Sequence, residues 1–343
     1  MHTKEIIEQL LQGNDLPPIV MRDFVTQMMT GSASPVAAGA ILIALRAKGE
    51  SMRELVSAAE VMRDFANHVV MPAGTPLLDI VGTGGDGTST FNISTTCLFV
   101  IAAAGGLVAK HGNRSVSSKS GSADAIEALG ANLNLNANQV APCISQTGMG
   151  FMFAPNHHPA MRHISPIRKE LGVRTLFNMI GPLANPANAP YMLMGVFSRH
   201  LLPIMSEALR QLGTQRALVV YSEDGMDEVS IFAPTYVSEL KDGHIKEYVI
   251  NPNHFDFDYA SIHDIRVQSP QQSIEMMKTA LSGAPSAARD IVLMNSGVAL
   301  YTLGMCKTIE QGVDKAREVI DSGKPLEKIA EYVAFTQQFK EQS

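Results

Sequence analysis

Leu77-Leu78-Asp79-Ile80-Val81, followed by Gly82-Thr83-Gly84-Gly85-Asp86-Gly87-Thr88-Ser89-Thr90-Phe91-Asn92-Ile93-Ser94-Thr95, holds the outline of a supersecondary unit. The first five residues are a short apolar-rich run, the pattern of a buried strand. The glycines that follow end it, and a helix is expected from about Ser94 to Ala104. Leu107-Val108-Ala109 then reads as a second strand. Strand, helix and strand within about 35 residues make a βαβ unit, whose strands run parallel.

Upstream, Met71-Pro72-Ala73-Gly74-Thr75-Pro76 is a breaker-rich link and one candidate hinge. Everything before it reads as helix. Ile6, Ile7, Leu10 and Leu11 share a face and Gly13 ends that segment. Ser34 can cap a helix with Pro35 in its first turn, and Gly49 stops it. Ser51 and Glu54 have the spacing of a capping box, ahead of Leu55, Ala58, Ala59 and Met62. Downstream, strands are expected at Phe151–Phe153, Met192–Phe197 and Ala217–Tyr221, and helices between Pro159 and Leu171 and over Leu201–Leu212. Asp242-Gly243 separates two alternating runs, a hairpin signal, and the last seventy or so residues return to helix. The fold class is α/β, with a small helical domain first and a larger α/β domain after it.

Composition narrows the function. The chain has 343 residues, 45% hydrophobic and 17% charged, which suits a globular protein with a sizeable core. Its 27 Lys and Arg against 33 Asp and Glu give a net charge of −6, so it has no general attraction to nucleic acid or an anionic membrane. Glu5 and Glu8 interrupt the N-terminal apolar residues, against a signal peptide, and the most apolar stretch, Cys97 to Ala109, is too short to span a bilayer. The three cysteines form no CxxC pair, which points to a reducing, cytoplasmic setting with neither a disulfide framework nor a zinc site.

Four segments carry chemistry. In Gly82–Thr95 the glycines let several backbone N–H groups face one point, and the hydroxyls of Thr90, Ser94 and Thr95 add donors near a helix N-terminus. A phosphate or diphosphate is the natural ligand. No Gly-Lys-Ser/Thr follows, so this is not a Walker A loop, and Gly87 falls too early for a dinucleotide fingerprint. The second segment, Lys110-His111-Gly112-Asn113-Arg114-Ser115-Val116-Ser117-Ser118-Lys119-Ser120-Gly121-Ser122-Ala123-Asp124, is a basic, serine-rich loop after the second strand. Neighbouring parallel strands end at a shared crevice, so it should meet the first loop there. The third, Glu223-Asp224-Gly225-Met226-Asp227-Glu228, offers hard oxygen ligands of the kind Mg²⁺ takes beside a phosphate. The fourth is Asn156-His157-His158-Pro159 with Arg162, Arg168 and Arg174, where Arg168 could grip a carboxylate in fork geometry.

The ordered motifs Asp79–Asp86, Asn92–Thr95, Lys110–Arg114, Ser120–Asp124, Arg174–Asn178 with Gly181-Pro182-Leu183 and Asn185-Pro186, and Gly225–Glu228 resemble the anthranilate phosphoribosyltransferases over nearly the whole chain. The resemblance implies a nucleoside-phosphorylase-like transferase fold: a small all-helical domain of residues 1–72 plus roughly 162–186 inserted from mid-chain, and a large α/β domain of residues 73–343. It implies transfer of the phosphoribosyl group of phosphoribosyl diphosphate (PRPP) to the amine of anthranilate, a step of L-tryptophan biosynthesis. The substrate PRPP would be bound by Gly82, Gly85, Asp86, Thr90, Asn92, Ile93, Ser94, Thr95, the run Lys110, His111, Gly112, Asn113, Arg114, Ser115, Val116, Ser117 and Ser118, and Ser122. Mg²⁺ would sit at Ser94, Asp227 and Glu228. Anthranilate would lie near Gly82, Asn113 and Arg168, with His111, His158 and Pro182 beside it. The leaving diphosphate would be stabilised by Lys110 and Mg²⁺. An aromatic amine is a neutral nucleophile at pH 7, so neither a strong general base nor a covalent intermediate is expected. A homodimer is implied, and association with an anthranilate synthase stays open.

Two other classes are weighed against this. A pyrimidine nucleoside phosphorylase shares the fold, but Lys110–Arg114 with Asp227-Glu228 favours PRPP over inorganic phosphate. A nucleic-acid-binding relative would be expected to carry a basic surface and a degraded site, whereas the motifs here are intact.

Overall fold

The structure is a computed structural model and describes residues 2–114, 121–257 and 261–340. The helices come first: α1 (Thr3–Leu11), α2 (Pro18–Thr30), α3 (Pro35–Lys48) and α4 (Met52–Asp64). The Ser51–Glu54 capping box forms in both directions, with Glu54 N donating to Ser51 Oγ at 3.4 Å and Ser51 N to Glu54 Oε2 at 2.8 Å. The carboxylate of Glu54 is fully buried and also takes Lys48 Nζ at 2.9 Å, so one side chain starts α4 and ties down the end of α3. Two local expectations differ. Ser34 makes no capping hydrogen bond, leaving Pro35 to start α3 by its fixed φ alone. Leu11 is 68% exposed, because Ile6 and Leu10, four apart, make the buried stripe of α1.

The βαβ unit follows as β1 (Leu77–Gly82), α5 (Ile93–Ala103) and β2 (Leu107–Gly112). Then come α6 (Ser122–Ala128), α7 (Ala137–Thr147), β3 (Met149–Phe153), α8 (Ala154–His157), α9 (Ser165–Leu171), α10 (Leu176–Ile180), β4 (Tyr191–Gly195), α11 (Leu201–Gln211) and β5 (Arg216–Ser222). Ser122 to Asp124 therefore open a helix rather than continue the loop. The expected helix between Pro159 and Leu171 is broken into a 3₁₀ turn, Pro159–His163, and α9, since Pro166 has no N–H to carry one helix through. A hairpin follows, β6 (Thr235–Lys241) and β7 (His244–Ile250), turned at Asp242-Gly243 as expected. The chain ends in α12 (Pro270–Leu281), α13 (Ala287–Thr302), α14 (Ile309–Asp321) and α15 (Lys324–Gln337). Among the described residues no helix is long and apolar enough to cross a membrane.

One seven-stranded sheet has the order β3-β2-β1-β4-β5-β6-β7. The first five strands are parallel, and β6 and β7 are added antiparallel. The chain winds outward from β1 through β2 and β3, then returns to β4 on the other side. The topological switch point lies between β1 and β4, whose last residues, Gly82 and Gly195, are in register.

Alternate residues of the central strands face two different cores. Leu193, Leu218 and Val220 pack with α5, α7, α12 and α13. Met192, Met194 and Val219 pack instead with Leu42, Leu55 and Met62 from α3 and α4 and with Leu209 of α11. Ile164, Leu176, Phe177 and Ile180 from the mid-chain segment join this second core, with α9 against α3 and α10 against α4. The segment after α4 is tied down too. Asn67 N donates to His157 O at 2.8 Å and Val69 N to Pro186 O at 3.1 Å.

Candidate active site

Three strand ends meet at the switch point, each finishing in glycine: Gly82, Gly112 and Gly195. The loop after β5 leans into this crevice. A Cβ on Gly82 would overlap the Asp227 carboxylate, and one on Gly195 would overlap the Asp227 backbone. Glycine at both positions is therefore what admits the acidic loop. Met226 anchors the loop in the core, and Asn295 of α13 holds it on both sides: Val229 N donates to Asn295 Oδ1 at 2.9 Å, and Asn295 Nδ2 to Val229 O at 2.8 Å.

Of the four carboxylates expected here, the structure separates two pairs. Asp224 accepts from Ser230 Oγ at 2.6 Å, and Glu223 is exposed. Asp227 and Glu228 turn toward the glycine-rich loop, and Asp227 Oδ2 accepts Gly84 N–H at 2.8 Å. Burial pushes both carboxyls well above the usual carboxylate range; the charge of Asp86 pushes Asp227 further, and those of Asp227 and Asp86 push Glu228 further. Asp86, expected at the diphosphate, is thus part of the same acidic group, and its carboxylate accepts from Thr88 Oγ1 and N.

Lys110 is the cation that answers them. Its side chain is buried, and Nζ donates to the Ile80 carbonyl and, at 3.2 Å, to Ser94 Oγ in the first turn of α5. Burial pulls its pKa down, while Asp79, Glu228 and Asp227 draw it back up. Asp79 is wholly buried, held by Asn185 Nδ2 at 2.7 Å, and pushed up to about 6 by burial. The first and second loops therefore do meet, through Lys110 and Ser94.

The glycine-rich loop is built for close approach. Gly84, Gly85 and Gly87 all have positive φ (70°, 72° and 78°), a region L-residues avoid. Beyond them Thr90 bridges to Arg266, and Phe91 N donates to Ile265 O at 3.1 Å. Asn92 Nδ2 donates to Ser273 Oγ at 2.9 Å, so this side chain also braces the loop against α12. Ile93 is core, and the buried Thr95 Oγ1 has no hydrogen-bond partner among the described residues.

The remaining predicted residues fall in two groups. Arg114 is already matched by carboxylates, with Nη1 and Nη2 donating to Glu127 at 2.6 and 2.9 Å and Nη1 to Asp124 at 3.1 Å. Asn113 is exposed, with its Oδ1 accepting Arg114 N, and Ser122 Oγ packs on Gly112. Ser115, Val116, Ser117 and Ser118 lie outside the described residues. On the other side of the crevice His111 and His158 stack with ring centroids 4.8 Å apart. His158 Nε2 is 3.0 Å from the carbonyl of Ala184, which closes the short turn begun by the buried Pro182. Burial holds His111 well below the usual histidine range and pulls His158 down to about 4, so both rings are neutral at pH 7.

Arg168, on α9, is half-buried, and burial alone lowers its pKa. Its one hydrogen-bond partner shown is Asn178 Oδ1 at 3.5 Å, and among the described residues it has no carboxylate at ion-pair distance. A guanidinium held this way can receive a ligand's carboxylate. The residues that sequence reasoning missed are Asn295 and Ser273. Ser273 holds its loop across 181 residues and Asn295 across 66, and no local pattern marks them.

Comparison with known proteins identifies the family and the fold. The family model described as "Glycosyl transferase family, helical bundle domain" matches residues 4–66, and that described as "Glycosyl transferase family, a/b domain" matches residues 74–326. A protein of Cupriavidus metallidurans named anthranilate phosphoribosyltransferase is 52% identical over 337 residues, covering 98% of each chain. The crystal structure of the Thermus thermophilus anthranilate phosphoribosyltransferase superposes with a TM-score of 0.90 at 39% identity, over 97% of this chain and 99% of that one. The Saccharomyces cerevisiae enzyme in complex with PRPP and Mg gives a TM-score of 0.87 at 26% identity, over 98% of both chains. With its sequence matched from end to end and its fold shared with solved members, this chain belongs to the anthranilate phosphoribosyltransferases of the glycosyl transferase family.

Proposed function

We propose that the crevice at the switch point transfers the phosphoribosyl group of PRPP to the amine of anthranilate, giving N-(5-phosphoribosyl)anthranilate and diphosphate, in tryptophan biosynthesis. The observation that carries this reading is the convergence of Asp227 and Glu228 on the Gly82–Gly84 turn, beside buried Lys110 and the first turn of α5. A diphosphate ester would find N–H donors, hydroxyls and a nearby cation there. The yeast relatives crystallised with PRPP and Mg and with 4-fluoroanthranilate support both substrates.

Mg²⁺ fits the residues present. Asp227, Glu228 and Ser94 offer hard oxygens, and both carboxyls lack enough positive charge to stay ionised easily. Among the described residues no group of three or more His, Cys, Asp or Glu forms a metal cage. A pair of carboxylates completed by substrate oxygens is how proteins usually hold Mg²⁺. When bound, the ion would offset negative charge on the diphosphate.

The chain's own residues do the rest. As the C1–oxygen bond breaks, the ribose gains positive and the diphosphate negative charge. Loop N–H groups between Gly85 and Thr95, with the hydroxyls of Thr90, Ser94 and Thr95, stabilise the leaving group in a fixed geometry. Lys110, buried behind Ser94, adds its field without moving. Arg168 holds the anthranilate carboxylate and so aims the amine at C1, an orientation effect. Neutral His111 and His158, with Pro182, wall the approach.

Residues 1–72 with about 162–186 would act as the small domain and 73–343 as the large one. The packing of α9 on α3 and of α10 on α4 supports grouping the mid-chain segment with the N-terminal helices. A homodimer is supported by the exposed apolar side chains Leu11, Ile19 and Val36 on α1 to α3. A cytoplasmic location is supported by three unpaired thiols. The test of the reaction is anthranilate consumption with PRPP, with and without Mg²⁺. PRPP- and metal-dependent loss of anthranilate with equimolar diphosphate is the expected result, and no loss would remove the substrate assignment.

A further inference from the structure

Arg174 belongs to none of the substrate contacts above, yet it is where the mid-chain helical segment reaches the glycine-rich loop. Its Nη2 donates to the carbonyl of Gly85, and a Cβ on Gly85 would stand only 3.1 Å from Nη2 and 3.2 Å from Nε. The guanidinium is stacked on Phe197, with Cζ 4.2 Å from the ring centroid. Phe197 is itself tied to the loop, since its N–H donates to Thr83 Oγ1 at 3.1 Å. From the other side, the Arg174 carbonyl accepts Arg46 Nη1 of α3 at 2.8 Å. Thr175 N then donates to Asn178 Oδ1 at 3.0 Å, the same oxygen that Arg168 reaches. One side chain thus closes a ring of contacts through Gly85, Thr83 and Phe197, and its backbone joins that ring to the helices and to Arg168.

The consequence follows from peptide geometry. The described residues have no cis peptide bond, so the Gly85 carbonyl and the Asp86 N–H lie in one peptide plane and point in opposite directions. Gly85, at a φ of 72°, is a residue whose peptide can otherwise turn freely. Holding its carbonyl fixes where the Asp86 N–H is aimed. We propose that Arg174 is a positioning residue for the phosphoribosyl donor. By gripping the Gly85 carbonyl from its Phe197 platform, it aims the Asp86 N–H at the diphosphate and locks the glycine-rich loop to the segment that carries Arg168. This inference rests on the proposed reaction.

The test compares wild type, Arg174→Ala, Arg174→Lys and Phe197→Leu, with PRPP affinity by calorimetry in MgCl₂, both KM values, and Tm. One charge-assisted hydrogen bond lost with its orienting effect corresponds to about a tenfold or greater rise in PRPP Kd and KM for Arg174→Ala. Anthranilate KM at saturating PRPP should stay within about twofold, and Tm should hold, because Arg174 is exposed. Arg174→Lys keeps a donor and loses the planar stack, so it should recover part of the affinity. Phe197→Leu should fall between wild type and Arg174→Ala, and adding it to Arg174→Ala should cost little more. Unchanged PRPP affinity in Arg174→Ala, or equal rises in both KM values with a fall in Tm, would overturn the positioning role while leaving the reaction in place. A wild-type protein that binds no PRPP would overturn the reaction and this inference with it.

Discussion

Replacing Arg168 by alanine isolates the anthranilate side of the site. The guanidinium is half-buried, its pKa is lowered by burial alone, and its hydrogen bond to Asn178 Oδ1 is long at 3.5 Å. Within the free protein it therefore contributes little to folding, and its removal should leave Tm level or slightly raised. With substrate bound, it would gain a charge-assisted hydrogen bond to a carboxylate. Such bonds are worth about 1.5–3 kcal/mol, which converts to a rise of about 10- to 150-fold in anthranilate KM. The carboxylate keeps its charge throughout the reaction. Most of the loss should therefore fall on KM, with a smaller fall in kcat from poorer aim of the amine. PRPP KM should move less than about threefold. Steady-state rates from the decay of anthranilate fluorescence, with each substrate varied at saturation of the other, give these quantities directly. Equal rises in both KM values would take Arg168 out of the anthranilate site. A marked fall in Tm would show that the side chain serves the fold instead.

Other expectations concern the acidic loop and the histidines. Asp227→Asn with Glu228→Gln should lower Mg²⁺-dependent turnover at least about 100-fold with Tm unchanged or higher, since it removes two crowded charges; unaltered turnover would refute the metal assignment. Gly195→Ala forces a methyl into the Asp227 backbone, so it should cost about 1–3 kcal/mol by denaturant melt and abolish turnover. A variant as stable and active as wild type would show that the loop does not need that approach. Buried His158 has its folded pKa near 4, below the ordinary 6.5, so the unfolded chain takes up the proton first as pH falls. Its contribution is fully present above pH 6.5 and lost toward pH 4, about 2 kcal/mol of it between pH 7 and pH 5. His158→Asn should flatten the decline in stability over that interval, and an identical slope would contradict the assignment.

How far the sequence could be read depended on distance along the chain. Parallel strands buried on both faces appear as apolar runs, so Leu77–Val81 and Leu107–Ala109 were legible with the glycine loop between them. The rule that such strands open on one crevice brought the Lys110 loop to the first loop, whereas the approach of Asp227 to Gly82 shows only in the fold. The capping box at Ser51 was local and equally plain. The mid-chain segment was not legible from pattern, because α9 has seven residues and α10 five, too few to show a period. Arg114 stands in a basic run by sequence, and its pairing with Glu127 shows only once α6 has formed. Ser273 and Asn295 act across long separations, and only the fold reveals them.

The shared core of α3, α4, α9 and α10 bears on how the protein comes off the ribosome. Helices α1 to α4 are synthesised first, but Leu176, Ile180 and Leu183, which cover Leu55 and Met62, arrive about 120 residues later. At roughly 5–20 residues per second that is an interval of about 6–24 s, during which an apolar face stays open. The nascent chain would spend this interval as a substrate for holding chaperones, and variants that slow elongation between residues 65 and 185 would be lost to aggregation before any effect on the finished enzyme could be measured.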